Sequence, residues 1–218
     1  MRLLTKLLIA PATAALTLGA ILLTPDAGAD TKPFSFTNFE TIKVTALMTV
    51  VVKQGPYSVT VNEPKGDFSN LKIEQKGKDL FITRQDSTFD DRKKPAPDYV
   101  VTVTAPSLSA IDVAAASEVE GSNLSFKDLK LNISSGSSAT LSGSCNSLSA
   151  NISSGAKFDG RDLKCKDASV NASTGASASA FAQASAMGNA STGGAITFHG
   201  NPKSLDRHVS LGGSVRAL

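Results

Sequence analysis

One phrase recurs four times in the second half of the chain. Leu131-Asn132-Ile133-Ser134-Ser135-Gly136 is followed by Ala150-Asn151-Ile152-Ser153-Ser154-Gly155. Val170-Asn171-Ala172-Ser173-Thr174-Gly175 and Gly188-Asn189-Ala190-Ser191-Thr192-Gly193 complete the set. The asparagines stand 19, 20 and 18 residues apart, and a fainter copy, Ile111-Asp112-Val113-Ala114-Ala115-Ala116, lies 20 residues before the first. A fixed period of this length means stacked units, each burying its apolar side on its neighbours. Apolar residues alternate with polar ones inside every copy, so each unit is built of strands. These features predict an all-β chain, a right-handed parallel β-solenoid with repeats of about 20 residues from about Leu108 to the C-terminus.

The alternation sorts the repeat into rows. Leu129, Leu131 and Ile133 face the core, as do Leu148, Ala150 and Ile152, then Ala168, Val170 and Ala172. These inward residues shrink along the chain, so the solenoid is expected to narrow or flatten toward its C-terminal end. The intervening residues face out. Asn132, Asn151, Asn171 and Asn189 are therefore expected to stack in one column headed by Asp112, because in-register amides hydrogen-bond along a stack. Ser134, Ser153, Ser173 and Ser191 should form a parallel row, and this face is the candidate contact surface. The Asn-x-Ser triplets restate the repeat and need no glycosylation to explain them.

The two cysteines obey the same period. Cys145 and Cys165 stand six residues before Asn151 and Asn171 and so occupy equivalent places on adjacent rungs. Neighbouring strands lie about 4.8 Å apart, within the range of Cα separations that a disulfide spans. A disulfide is expected; the alternative is a pair of stacked free thiols.

Residues 168–202 carry no Asp, Glu, Lys or Arg and are rich in Ala, Ser, Gly and Thr. Composition alone reads as linker. The preserved period argues for ordered rungs with small inward side chains. Phe198 to Pro202 and then Val209 to Val215 read as a last turn and a closing strand that cap the open end.

Ahead of the repeats the chain has other grammar. Arg2 and Lys6 precede an apolar run from Leu7 to Leu23, and Ala27-Gly28-Ala29 matches a signal-peptidase site. Residues 1–29 are expected to be a signal peptide cleaved between Ala29 and Asp30, and no second apolar run offers a membrane span. Residues 30–35 read as a polar lead-in and 36–218 as the folded domain. From Phe39, short runs with a period of two, such as Ile42, Val44 and Ala46 or Tyr57, Val59 and Val61, are broken by Gly, Pro and Asp. They read as strands joined by turns that extend the solenoid core. Gln85 to Asp98, crowded with charge and proline, reads as a solvated loop and a second candidate for binding.

These motifs together resemble a family. Phe39-Glu40-Thr41-Ile42-Lys43-Val44, Val50-Val51-Val52-Lys53-Gln54-Gly55 and Tyr99 to Leu108 are similar to the first half of the putative auto-transporter adhesin head domain, the head GIN domain. The Ser-Gly turns, Gly200-Asn201-Pro202 and Leu211-Gly212-Gly213-Ser214-Val215 resemble its second half. The turns read Ser-Ser-Gly or Ser-Thr-Gly where that family usually has Gly-Ser-Gly. The resemblance spans about residues 36 to 217 and implies a β-solenoid on the cell envelope with an adhesive role. It supplies no catalytic residues.

The sequence holds no constellation of catalytic groups. Glycoside hydrolysis needs two facing carboxylates. Asp159 and Asp162 are the nearest pair, and they share a rung with Lys157 and Arg161, which reads as a neutralised patch. His199 and His208 lack metal-ligand spacing, and no cofactor is implied. Without Arg2, Lys6 and Asp26 the chain keeps 20 basic and 18 acidic residues, a net charge of +2 that argues against a nucleic-acid partner. The reading is a non-catalytic, exported, adhesin-like module, periplasmic or cell-surface, whose partner is a glycan or a surface protein. The alternatives are a polysaccharide-active enzyme on the same scaffold and a structural envelope component without a ligand.

Overall fold

The computed structural model describes residues 30–85 and 98–218. The signal-peptide reading lies outside the described residues, as does nearly all of the Gln85–Asp98 loop. The described residues form seventeen strands and no helix. Six precede the loop: β1 (Asp30–Phe34), β2 (Thr41–Val44), β3 (Thr49–Gln54), β4 (Ser58–Glu63), β5 (Leu71–Lys76) and β6 (Asp79–Arg84). Then come β7 (Val100–Ala105), β8 (Ala110–Val113), and the long strands β9 (Glu118–Ile133) and β10 (Ser138–Ile152). The rest are β11 (Lys157–Gly160), β12 (Leu163–Ala172), β13 (Ser177–Phe181), β14 (Ser185–Ala190), β15 (Ala195–His199), β16 (Ser204–Val209) and β17 (Ser214–Ala217).

The parallel solenoid is present, and its register follows the repeat. Asn151 pairs with Asn132 and with Asn171, and Asn171 pairs with Asn189. The strands stack in two main columns around one buried core. The first column carries the asparagines and runs β6, β2, β8, then the C-terminal parts of β9, β10 and β12, then β14 and β16. The second runs β7, β3, the N-terminal parts of β9 and β10, then β11, β13, β15 and β17. In β9 the in–out alternation resets near Ser122 and again at Lys127–Asp128. The middle coils therefore bend twice, and Leu124–Phe126, Gly143–Cys145 and Leu163–Cys165 form a short third side. That side explains why a repeat needs about 20 residues.

One tight turn per coil joins the two columns, and its chemistry accounts for the Ser-Gly phrase. In Ser134–Ser137 the central residues Ser135 and Gly136 have φ of 55° and 70°, and the Ser137 N–H donates to the Ser134 carbonyl at 3.2 Å. Two consecutive positive φ angles define a type I′ turn, which favours glycine. Successive turns are bonded to each other. Gly136 N–H donates to Ser154 O, Gly155 N–H to Thr174 O and Gly175 N–H to Thr192 O, each at 3.0 Å. The position after each turn shrinks as it descends the stack: Met48, Ser117, Ser137, Ala156, Ala176, Gly194, Gly213. The buried Ser117 and Ser137 hydroxyls accept from Met48 and Ser117 N–H at 3.3 and 3.2 Å.

Three features differ from the sequence reading. Residues 30–34 of the polar lead-in form β1, antiparallel to β4, which in turn lies antiparallel to β7. The early strands also enter the stack out of chain order: β2 lies between β6 and β8, and β3 between β7 and β9. Local alternation says that a strand exists but not which neighbour it chooses. Finally, the C-terminal segment does not cap the stack. β16 and β17 form one more rung, and Val209, Leu211 and Leu218 are left 53%, 79% and 69% exposed.

Candidate functional site: an amide ladder on the first column

The outward residues of the first column are placed by β alternation and by parallel register. Asp112 stands opposite Asn132, so the Asn132 amide donates Nδ2 to Asp112 Oδ1 at 2.6 Å. Asn151 donates to Asn132 Oδ1 at 3.0 Å, Asn171 to Asn151 Oδ1 at 2.8 Å, and Asn189 to Asn171 Oδ1 at 2.7 Å. Asp112 accepts from Asn132, and each amide below it donates upward in the same sense. Asn132 and Asn151 are exposed; Asp112, Asn171 and Asn189 are half-buried. Asn132, Asn151 and Asn171 each use one N–H and one carbonyl lone pair along the column and Asn189 uses one N–H, which leaves a second N–H and at least one lone pair on each amide for a partner.

The half-buried Ser134, Ser153, Ser173 and Ser191 run beside the ladder, in register through backbone bonds such as Ser153 N–H to Ile133 O and Ser173 N–H to Ile152 O, both 3.0 Å. A depression between the two rows is lined by Asn171, Ser173, Asn189 and Ser191.

Sequence reasoning missed how the column continues at both ends. Lys43 stands opposite Asp112 on β2, and Phe81 stands opposite Lys43 on β6. Lys43 pairs with Asp79 at 2.9 Å and lies 5.3 Å from the Phe81 ring centre. The hydrogen bond to Asp79 raises the Lys43 pKa, with Asp112 adding to it. No period connects residues 43 and 112, because β2 enters the stack from elsewhere in the chain. At the far end His208 stands opposite Asn189. A second bonded row was also missed: Ser147 donates to Asp128 and Ser185 to Asp167, each at 2.5 Å. Its spacings of 19 and 18 residues were visible in the sequence.

Cys145 and Cys165 are paired in register on the third side and form a disulfide with a Cα separation of 4.4 Å. Asp159 receives Arg161 Nε at 2.9 Å and pairs with its Nη2 at 2.8 Å. Burial pushes the Asp159 carboxyl up, but hydrogen bonds from the Arg161 side chain and backbone outweigh it and hold the pKa below its ordinary value. Asp162 points to Lys164 at 3.3 Å and is 69% exposed. A carboxyl held low beside arginine is a poor proton donor. His199 and His208 lie on different columns. Among the described residues no three His, Cys, Asp or Glu side chains converge as a metal site, and no helix is long and apolar enough to cross a membrane.

Comparison with known proteins gives the same architecture. The chain is similar to the crystal structure of a putative adhesin from Bacteroides fragilis, with a TM-score of 0.68 at 14% identity, covering 89% of this chain and 99% of that one. A putative adhesin from Parabacteroides merdae aligns with a TM-score of 0.47 at 10% identity, over 88% of this chain and 97% of that one. No functionally curated protein matches. At 14% identity the likeness to the Bacteroides fragilis structure speaks to fold alone. The family model described as putative auto-transporter adhesin, head GIN domain, matches residues 38–202. The chain therefore belongs to the head GIN domain family of putative auto-transporter adhesins.

Proposed function

We propose that the protein is a non-catalytic, exported adhesin module that holds a glycan or a surface protein through the asparagine face. The observation that carries this reading is the continuous ladder from Asp112 to Asn189, with an unused N–H and an unused lone pair on each of its four amides. Repeated weak contacts at fixed spacing add up to useful avidity without any deep pocket. Family membership supports an adhesive role. The chain would reach the envelope through a signal peptide cleaved between Ala29 and Asp30, and oxidation of Cys145 and Cys165 fits an exporting compartment.

The test is a glycan-array and whole-cell binding screen of the purified protein beside the double variant Asn151→Lys, Asn171→Lys. The variant should fold and lose binding. Retained binding moves the contact elsewhere, with the Gln85–Asp98 loop next in line. Incubation with envelope polysaccharides should release no reducing ends; turnover abolished by Asp162→Asn would make the protein an enzyme instead.

A further inference from the structure

Among the described residues, the rung formed by β16 and β17 presents an open edge: β16 pairs only with β14, and β17 only with β15. Ser204 and Ser210 donate their N–H groups back into the stack, to Ala184 O and Ala190 O at 3.1 and 3.0 Å. Strand geometry alternates these groups, so Leu205, Arg207 and Val209 aim their N–H and C=O at the open side. The same three residues lie in the inward phase, in register with the buried Ala186, Gly188 and Ala190. Unpaired backbone beside exposed apolar side chains is a template for a further strand.

A single peptide covers only one of these edges. A second copy of this chain, turned end to end by a two-fold axis, covers both at once and buries Leu205, Val209 and Val215 of each copy. Arg207 stands in its way. It occupies the middle of β16, its register partner is Gly188, and among the described residues it has no salt bridge. Two-fold antiparallel pairing matches like faces, so the numbers of opposed residues sum to an even value. The two registers that overlap the strand best place Arg207 against Arg207 or Asp206 against Asp206. Both carry two guanidinium groups into an apolar interior, where charges without partners are strongly disfavoured. An inward-pointing charge is one of the ways natural edge strands avoid pairing.

We infer that Arg207 is a charge gate that keeps a second copy of the protein from adding to the open end of the solenoid. Light scattering on the purified protein, paired with hydrogen exchange, tests it. The unmodified protein and Arg207→Lys should be monomeric. Arg207→Val should dimerise, with a dissociation constant lower by about a hundredfold or more, and the amides of residues 205, 207 and 209 should become protected. Adding Leu205→Lys to Arg207→Val restores an inward charge and should return the monomer. A monomeric Arg207→Val protein overturns the inference. So does an Arg207→Val dimer in which those three amides still exchange freely, or an unmodified protein already dimeric with them protected.

Discussion

The coils built from residues 39–85 and 98–113 and those built from residues 138–199 solve one stacking problem with different materials. The first group fills its interior with Phe39, Ile42, Met48, Leu80, Ile82, Tyr99, Val101 and Val103, all at most 2% exposed. The second fills much of its interior with alanine: Ala168, Ala172, Ala176, Ala178, Ala180, Ala182, Ala186 and Ala190. Phe198 is one of the large side chains that remain there, and a glycine faces it. A Cβ on Gly188 would meet Val215 at 2.7 Å and Phe198 at 3.0 Å, so that glycine makes room for both. The early coils tolerate insertion out of chain order and antiparallel neighbours, because side-chain burial dominates their stability. The late coils bury little per residue and depend on unbroken backbone pairing, stacked turns and one disulfide. A thin core is compatible with order when each rung finds both its neighbours in register.

The sharpest way to break this comparison is to remove core volume from the early coils. Leu80→Ala should cost about 2–5 kcal/mol in urea unfolding, the range for buried leucine truncations. In the late coils the opposite change should hurt: Ala180→Leu overfills a space built for alanine and should cost about 1–3 kcal/mol. If Leu80→Ala is mild, the early core is not what holds those coils.

Next in size is the disulfide, which staples two thin coils. Replacing Cys145 and Cys165 together with alanine should destabilise by about 3 kcal/mol on the chain-entropy model for a loop of this length. The loss should appear as faster hydrogen exchange in β12 and β14 before β2 or β7. Uniform loss across the molecule would show that the two groups of coils unfold as one unit.

The turns offer a smaller contrast. Ala46, Leu47, Ala115 and Ala116 have φ of 71°, 58°, 55° and 55°, whereas later turns place glycine second. A left-handed backbone costs a non-glycine residue roughly 1–2 kcal/mol. Ala116→Gly should therefore stabilise by about 0.5–1 kcal/mol after its entropy cost, and Gly175→Ala should destabilise by a similar amount. Thermal melts read both.

The smallest expected effect is in pH. Asp79 is held below its ordinary pKa mainly by the hydrogen bond from Lys43, and Asp159 likewise by Arg161 against its own burial. A depressed folded pKa contributes stability above the ordinary carboxylate range and loses it as pH falls through the depressed value. Both pairs are exposed enough to be screened, so acid melts of Asp79→Asn and the unmodified protein should converge at low pH with only a modest gap at neutral pH.

Much of this was written in plain view. The asparagine column, the turn glycines and the disulfide were legible because a repeat projects onto a stack without any knowledge of the rest of the fold. Residue 132 finds 151 since nothing but one coil separates them. The sequence reading failed where contact partners were distant or where an end had to be closed. Lys43 and Phe81 extend the ladder because β2 pairs with β8 and β6 with β2, and no repeat spacing records those pairings. The terminal phrase Leu211-Gly212-Gly213-Ser214-Val215 reads as a last turn and a closing strand, and it forms both, but the strand is one more rung rather than a cap.

What the sequence by itself determined is therefore everything that depends on period: strand type, rung height, the facing rows and the cysteine pairing. Each follows from alternation within a strand and from backbone pairing between identical neighbours, which are local rules. The tertiary structure alone decided the order of the first coils, the third side of the middle ones and the exposed last rung. Those depend on which large side chains fill a shared interior and on what lies beyond the final strand, and neither quantity is encoded in any short stretch of the chain.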